Sequence, residues 1–119
     1  MRISRWGDMG QLVSAEFFAR FQDASWYSAH REDIRKYLRA LATFKSENGE
    51  EIWLQGTEQY PHLDRWDYDV RLWVRAGLIE LDVGGHPPSI ERDLASLFSW
   101  VRTQTAMTVV DDDDEPVSW

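Results

Sequence analysis

Four stretches of the chain alternate between apolar and polar residues, and this period of two constrains the fold more than any other feature. The clearest stretch, residues 67–75, has its apolar positions at Tyr68, Val70, Leu72 and Val74. Because successive side chains of a β-strand point to opposite faces of a sheet, the pattern predicts a strand with one buried face. Residues 79–83 alternate in the same way after a turn at Ala76-Gly77, so the two stretches are expected to pair as an antiparallel hairpin.

A second hairpin is predicted around Asn48-Gly49. This dipeptide favours a type I′ turn, which needs a positive φ at both central residues. Residues 51–55 follow as a strand that directs Ile52 and Leu54 inward and leaves Trp53 on the polar face. A polar loop runs from residue 56 to about residue 63.

Residues 12–21 fit two kinds of secondary structure. As a strand they place only Phe18 on the wrong face and align the other apolar residues, which are Val13, Ala15, Phe17, Ala19 and Phe21. As a helix they stack Val13, Phe17 and Phe21 at four-residue spacing. The strand is favoured because the alternation is nearly unbroken and because Phe and Val suit pleated surfaces.

Two further stretches have the period of a helix. Residues 30 to about 43 carry an apolar stripe formed by Ile34, Tyr37, Leu38 and Leu41. Residues 89 to about 103 carry a second stripe formed by Ile90, Leu94, Leu97, Phe98 and Val101. Ser28 and Ser89 are the predicted N-caps. The outer face of the first helix is expected to be the main basic surface, with Arg31, Arg35, Lys36 and Arg39.

The order of these elements predicts an α+β fold. Hairpin-like connections and only two amphipathic helices favour an antiparallel or mixed sheet over a parallel one, which needs a crossover after each strand. Residues 107–110 form a short final strand, and the acidic segment of residues 111–119 ends with a return at residues 117–119. The 119 residues are expected to form a single domain around one core.

The charge of the chain is divided unevenly along its length. Residues 1–45 carry 8 Lys/Arg against 5 Asp/Glu, whereas residues 46–119 carry 5 against 16, which together give the formal net charge of −8. A strongly negative surface attracts basic proteins and repels nucleic acids and anionic lipids. The charge therefore predicts a protein partner with a basic surface, and neither a nucleic acid nor a membrane.

The sequence lacks the patterns that most enzyme chemistry requires. It has no cysteine, no G-x-S-x-G nucleophile motif and no glycine-rich phosphate loop. Residues 111–116 resemble a calcium loop only in composition, because Pro116 stands where an EF-hand requires glycine. We therefore expect a binding protein and not an enzyme, with no catalytic residue, no metal and no cofactor.

Three features of the sequence bear on its location. No run of about 18 apolar residues could form a membrane span. The first residues lack the apolar stretch of about 7–15 residues that a secretory signal contains. With no cysteine to form disulfides, the expected compartment is the cytoplasm.

Tryptophan supplies the candidate contacts with a partner. The chain has seven, and the alternation places Trp53 and Trp73 on the polar faces of their strands. Tryptophan is enriched in binding hot spots, so both residues are candidates for contact with a partner. In the alternative interpretation a helix covers that face, and both residues are then part of the core. The predicted partner-binding residues are Trp53, Asp67, Asp69, Trp73, Asp111, Asp112, Asp113, Asp114 and Glu115.

A small, cysteine-free, acidic and tryptophan-rich domain of this kind resembles bacterial immunity proteins, which neutralise polymorphic or contact-dependent growth inhibition toxins. The alternating strand of residues 12–21, the helix of residues 30–43 and the closing residues 107–119 are similar in character to such proteins. The resemblance implies a cognate toxin as partner, commonly a nuclease, whose basic active-site cleft the carboxylates cover. Two other interpretations remain open, a small-molecule-binding regulatory domain with an aromatic pocket and an acidic DNA mimic.

Overall fold

The computed structural model describes residues 15–58 and 67–119, which form six strands and two helices. The strands are β1 (Ala15–Phe21), β2 (Phe44–Asn48), β3 (Glu51–Leu54), β4 (Val70–Val74), β5 (Ile79–Val83) and β6 (Met107–Asp111). The helices are α1 (Ala24–Arg39) and α2 (Pro88–Arg102). All strand pairs are antiparallel, in the order β2-β3-β4-β5-β1-β6, which confirms the predicted α+β class. Residues 12–14 of the predicted first strand and residues 59–63 of the predicted loop lie outside the described residues.

One face of the sheet packs against both helices. Every second residue of β3, β4 and β5 is buried, as the alternation predicted, and so are Ala15, Phe17 and Ala19 of β1. The predicted stripe of α2 is completely buried and forms one cluster with these strands. Strand, and not helix, is therefore the correct interpretation of residues 15–21. Neither helix in the described part of the chain is long and apolar enough to cross a membrane.

The first helix begins earlier than the sequence predicted. Asp23, and not Ser28, is the N-cap, because its carboxylate accepts hydrogen bonds from the N–H groups of Ser25 and Trp26 at 3.0 and 3.1 Å. The apolar stripe starts accordingly at Tyr27, which is buried and donates its hydroxyl proton towards the carbonyls that flank the β4–β5 turn. Burial raises the pKa of Tyr27 to about 12.

The basic outer face of α1 is largely neutralised by acidic residues around the β2–β3 hairpin. Arg39 donates two hydrogen bonds to Glu47, at 2.6 and 2.9 Å, and Arg35 lies 3.6 Å from the same carboxylate. Arg31 pairs with Glu50 at 3.3 Å. The expectation that this face is the main basic surface is therefore wrong, since three of its four cations have carboxylate partners within the protein.

The predicted turn between β2 and β3 is present, although its type differs from the prediction. Asn48 pairs with Glu51, so the two loop residues are Gly49 and Glu50. Only Gly49 has a positive φ, of 64°. A glycine with positive φ at the first central position is typical of a type II′ turn and not of type I′.

The N-terminus of α2 is held by a residue from a different loop. Pro87 occupies the N-cap position and contributes no side-chain hydrogen bond, so the predicted capping role of Ser89 is wrong. Ser89 is instead buried in the first turn, where its N–H donates to Glu58 at 2.8 Å and its hydroxyl contacts the same carboxylate. These hydrogen bonds lower the pKa of Glu58. The backbone of Gly56 lies so close to Pro87 that a Cβ atom at position 56 would be 2.6 Å from the Pro87 side chain.

A buried carboxylate joins α2 to the segment that follows α1. Asp93 accepts hydrogen bonds from the N–H and the hydroxyl of Thr43, at 3.0 and 2.7 Å, and both residues are buried. A buried N–H without a partner destabilises a protein by about 1–3 kcal/mol. The hydrogen bonds to Asp93 avoid this loss, and they hold the segment after α1 against α2.

We expect Asp93→Ala to lower the free energy of unfolding by about 2–3 kcal/mol, because it leaves both groups of Thr43 buried without their acceptor. The matched control is Asp33→Ala, which removes an exposed helical carboxylate and is expected to change stability by less than about 0.5 kcal/mol. Urea unfolding monitored by circular dichroism measures both. Equal effects of the two substitutions would contradict a structural role for Asp93.

Glu58 makes stability depend on pH in a defined direction. Since its folded-state pKa is lowered, its contribution is present above the ordinary pKa and is lost as the pH falls through the folded value. We expect the stability difference between the protein and its Glu58→Gln variant to be largest above about pH 5 and to shrink towards about pH 3. A difference that does not vary with pH would exclude this contribution.

Candidate functional site: an open sheet face

The face of the sheet opposite the helices carries two rows of outward side chains. One row crosses the strands through Trp53, Arg71, Asp82 and Glu16, which are paired in register. The next row crosses through Glu51, Trp73, Glu80 and Phe18, and it ends at Val110, which is buried. We call these nine side chains the open face. No helix of the described chain covers it, and none of its aromatic residues packs against the core cluster.

The two predicted anchor tryptophans both lie on the open face. Trp73 is half-buried, with the guanidinium carbons of Arg71 and Arg75 at 5.1 and 5.4 Å from its ring centroid. Trp53 is also half-buried and donates its indole N–H to Glu51. The alternation therefore placed both residues correctly. The alternative in which a helix buries them is wrong for the described helices.

Tyr68 departs from the alternation that predicted it to point inward. Strand β4 begins only at Val70, so the period of two does not extend back to Tyr68. Its ring lies 4.9 Å from that of Trp53 and 4.9 Å from the guanidinium carbon of Arg71. Tyr68 thus joins the aromatic end of the open face, which the sequence did not predict.

Arg71 lies in β4 and Arg75 follows it directly, and each is paired with a carboxylate of β5. Arg71 donates to Asp82 at 2.7 Å, and Arg75 donates to Glu80 at 2.9 Å. The hydrogen bond that Arg71 donates to Asp82 raises the pKa of Arg71 above its ordinary range. These cation–π contacts and ion pairs restrict the side-chain rotamers of this part of the surface.

The predicted partner residues Asp67 and Asp69 precede β4 and occupy different surroundings. The Asp69 carboxylate accepts the N–H of Gly56 at 2.7 Å, and its carbonyl accepts the N–H of Gly84 at 2.8 Å. Asp69 therefore connects two loops of the fold. Asp67 is exposed, and its carbonyl accepts a hydrogen bond from Lys45.

The acidic run forms an ordered turn beside β6. Asp111 is buried, and its carboxylate accepts the N–H groups of Asp113 and Glu115 at 2.9 and 3.0 Å. We call residues 112–115 the acidic turn; all four are exposed. Asp114 has a φ of 65°, a conformation that aspartate tolerates better than most residues. Asp111 thus supports the turn, while the residues after it present their carboxylates to solvent.

Three contacts hold the acidic turn and the residues after it beside β1 and β6. Pro116 bridges to Val110, and the N–H of Val117 donates to the carbonyl of Val109 at 2.9 Å, so the predicted return of the chain is present. Arg20, at the end of β1, lies 3.6 Å from the Asp114 carboxylate. The turn is therefore placed at the β6 edge, at the opposite end of the open face from Trp53.

The carboxylates of Asp111, Asp112 and Asp113 approach one another closely enough to contact one cation, with ligand atoms within 4.8 Å. Asp111, however, already accepts two backbone hydrogen bonds. The expectation that the chain binds no metal stays a prediction.

The remaining described tryptophans lie away from the open face and do not line a common pocket. Trp26 stacks on His30, Trp100 stacks on Tyr37, and Trp119 packs edge-on against Phe17. A surface cleft of about 860 Å³ lies near the end of α2, and its described lining contains no tryptophan. Trp6 and Trp66 are outside the described residues.

No protein family model, curated protein or solved structure matches this chain. Its function must therefore be inferred from the open face and the acidic turn.

Sequence reasoning missed several members of this face. Phe18 was the one residue that broke the alternation of its strand, and that break was the available signal for an apolar side chain on the face away from the helices. Glu16 and Asp82 gave no signal, since their proximity depends on the pairing of β1 with β5.

We expect Trp73→Ala to cost about 1–2 kcal/mol of stability, because it removes a half-buried ring and its cation–π contacts. Phe98→Ala, the matched core substitution, is expected to cost about 3–5 kcal/mol. Chemical denaturation of both variants measures the difference. A loss at Trp73 as large as that at Phe98 would show that Trp73 belongs to the core.

Proposed function

We propose that this chain is an immunity-type inhibitor in the cytoplasm, which binds a basic toxin protein through the open face and the acidic turn. The observation that carries the proposal is a sheet face that presents two tryptophans in place of a covering helix. Surfaces that display aromatic residues within a charged rim are typical of protein interfaces.

Charge supports a basic partner. The open face, the acidic turn, Arg20 and Arg75 together contain eight carboxylates and three guanidiniums. Each guanidinium already pairs with a carboxylate, in Arg20–Asp114, Arg71–Asp82 and Arg75–Glu80. With eight carboxylates against three guanidiniums, this surface has a formal charge of −5. That negative charge would accelerate the encounter with a cationic protein and favour it over an acidic one.

The size of the surface supports binding through the open face and the acidic turn together. Five strand spacings of about 4.8 Å and five residues of about 3.3 Å give a sheet face of roughly 400 Å². A stable interface commonly buries about 800 Å² on each partner. The open face alone falls short of that area, and the acidic turn and the adjoining Tyr68 extend it.

Inhibition by such a surface needs no chemistry from this chain. A nuclease binds its substrate in a cleft lined with cations, and the acidic turn can occupy such a cleft while Trp53 and Trp73 bury apolar area beside it. The substrate phosphates are then excluded both sterically and electrostatically. Ordered anchors reduce the conformational entropy that is lost on binding.

The two alternative functions receive less support from the structure. A small-molecule pocket would enclose several tryptophans, whereas the described tryptophans are distributed over separate surfaces. A DNA mimic needs carboxylates spaced like phosphates, whereas the carboxylates of β5 alternate with paired arginines of β4.

The proposal is tested by co-expression with the protein encoded beside this one. We expect the chain to restore growth to cells that produce that protein, and Trp53→Ser/Trp73→Ser to lose the rescue. The control Trp26→Ser/Trp100→Ser changes two half-buried tryptophans on the helical side and is expected to keep it, with circular dichroism confirming that both variants fold. Rescue by the open-face variant, or failure of the unaltered chain, would contradict the proposal.

The acidic turn is expected to act mainly on the association rate. Changing residues 112–115 to Asn and Gln, with Asp111 kept, should slow association at low salt by about tenfold and weaken its salt dependence. Stopped-flow measurements at low and high salt compare this variant with the unaltered chain. An unchanged rate at both salt concentrations would exclude steering by the turn.

A further inference from the structure

The only asparagine of the chain stands at the tip of a hairpin, directly before a glycine. Asn48 is the last residue of β2, and Gly49 is the first of the two loop residues that join β2 to β3. The side chain of Asn48 is exposed and has no hydrogen-bond partner within the described residues. Asparagine is one of the chemically labile residues of proteins. The hairpin tip is therefore the single place in the sequence where an asparagine can react.

The backbone nitrogen of Gly49 is accessible to the Asn48 side chain. A Cβ atom added at Gly49 would meet nothing within 4 Å apart from its chain neighbours, so the space around the turn is open. The N–H of Gly49 donates no hydrogen bond in the described part of the chain. Glycine also lacks the side chain that would obstruct the approach of a neighbouring group. No hydrogen bond of this N–H has to break before its nitrogen reacts.

We propose that the hairpin tip is a site of spontaneous deamidation, for which the backbone of the chain itself supplies the nucleophile. The Gly49 nitrogen gives up its proton to water and attacks Cγ of Asn48. The Cγ–Nδ2 bond breaks, and the side-chain nitrogen takes up a proton and leaves as ammonia, so that a five-membered succinimide remains. Water then adds to one of the two succinimide carbonyls and opens the ring, which gives aspartate or isoaspartate. The proposal does not depend on the identity of a partner.

The isoaspartate product lengthens the backbone where the fold cannot extend freely. Its chain runs through Cβ and Cγ, so one additional backbone atom enters between β2 and the turn. The turn is held from two sides, because Arg35 donates to the Gly49 carbonyl and the N–H of Val74 donates to the Glu50 carbonyl, each at 2.9 Å. All four residues of β3 pair with β4, whereas β2 pairs on one side only in the described part of the chain. A change of pairing register therefore falls on β2.

Displacement of β2 separates Glu47 from the arginines of α1. Glu47 immediately precedes Asn48, and its carboxylate accepts two hydrogen bonds from Arg39 and lies 3.6 Å from Arg35. Isoaspartate at position 48 thus uncovers two cations of α1. Aspartate at this position keeps the backbone length and leaves these ion pairs in place. Formation of isoaspartate therefore produces the basic helical surface that the fold otherwise neutralises.

Mass spectrometry of the intact folded chain tests the reaction. The protein is incubated at mildly alkaline pH and digested, and fragmentation by electron transfer distinguishes aspartate from isoaspartate. We expect both products at position 48, formed faster as the pH rises, because the deprotonated nitrogen is the nucleophile. Asn48→Gln, whose ring closure needs six members, is expected to give no product in the same time. Absence of product from the folded protein, even where the chain reacts in urea, would overturn the proposal.

Hydrogen exchange of the separated products tests the structural consequence. We expect the isoaspartate form to exchange the amide hydrogens of β2 faster than the unmodified chain, with the amides of β4 and β5 unchanged. The matched control is Asn48→Asp, which adds the same charge on a backbone of normal length and is expected to exchange as the unmodified chain does. Equal exchange in the isoaspartate form and the unmodified chain, or equal acceleration in Asn48→Asp, would contradict the displacement of β2.

Discussion

Packing of both helices on one face of a six-stranded sheet is the constraint on which the rest of the structure depends. The stripe of α2 is completely buried, and α1 adds Tyr27, Ile34 and Leu38 to the same cluster. A half-buried sheet ordinarily presents polar side chains to water on its other face. Here that face carries Trp53, Trp73 and Phe18, and this departure from the expected pattern makes it a candidate for recognition.

Electrostatic pairing separates the molecule into two regions of different character. Around α1, arginines meet the glutamates of the β2–β3 hairpin, and the charges largely cancel. At the β6 edge the carboxylates are concentrated in a turn that Asp111 holds through backbone N–H groups. The excess of negative charge in the second part of the sequence is therefore concentrated in space mainly at the open face and the acidic turn. Such a distribution affects the choice of partner more than the stability of the fold.

The sequence was informative wherever local periodicity decides the structure. Alternation identified β1, β3, β4 and β5, and it placed Trp53 and Trp73 on the correct side, because the side-chain direction in a strand follows from its period alone. Helix ends were predicted less well. Ser28 and Ser89 are good N-caps in isolation, but Asp23 caps α1 and Glu58 reaches the first turn of α2 from another loop. Tertiary contacts of this kind have no local signal.

In the candidate site, too, local periodicity predicted some residues, whereas others depend on tertiary contacts. Its aromatic anchors could be predicted, whereas the opposition of Glu16 and Asp82 could not, since β1 pairs with β5 only after α1 and two hairpins intervene. The acidic run was predicted as a possible contact surface. Its separation into one supporting residue, Asp111, and four exposed ones follows from burial, which the composition of the run does not reveal.

Hydroxyl-radical footprinting of the chain, free and bound to the protein encoded beside it, tests most directly whether the open face is the recognition surface. Aromatic side chains on both sides of the molecule are half-buried in the free protein, so each can report protection. Recognition through the open face predicts protection of Phe18, Trp53 and Trp73, with Trp26 and Trp100 unchanged. Protection confined to Trp26 and Trp100 would place the interface on the helices and contradict the central claim.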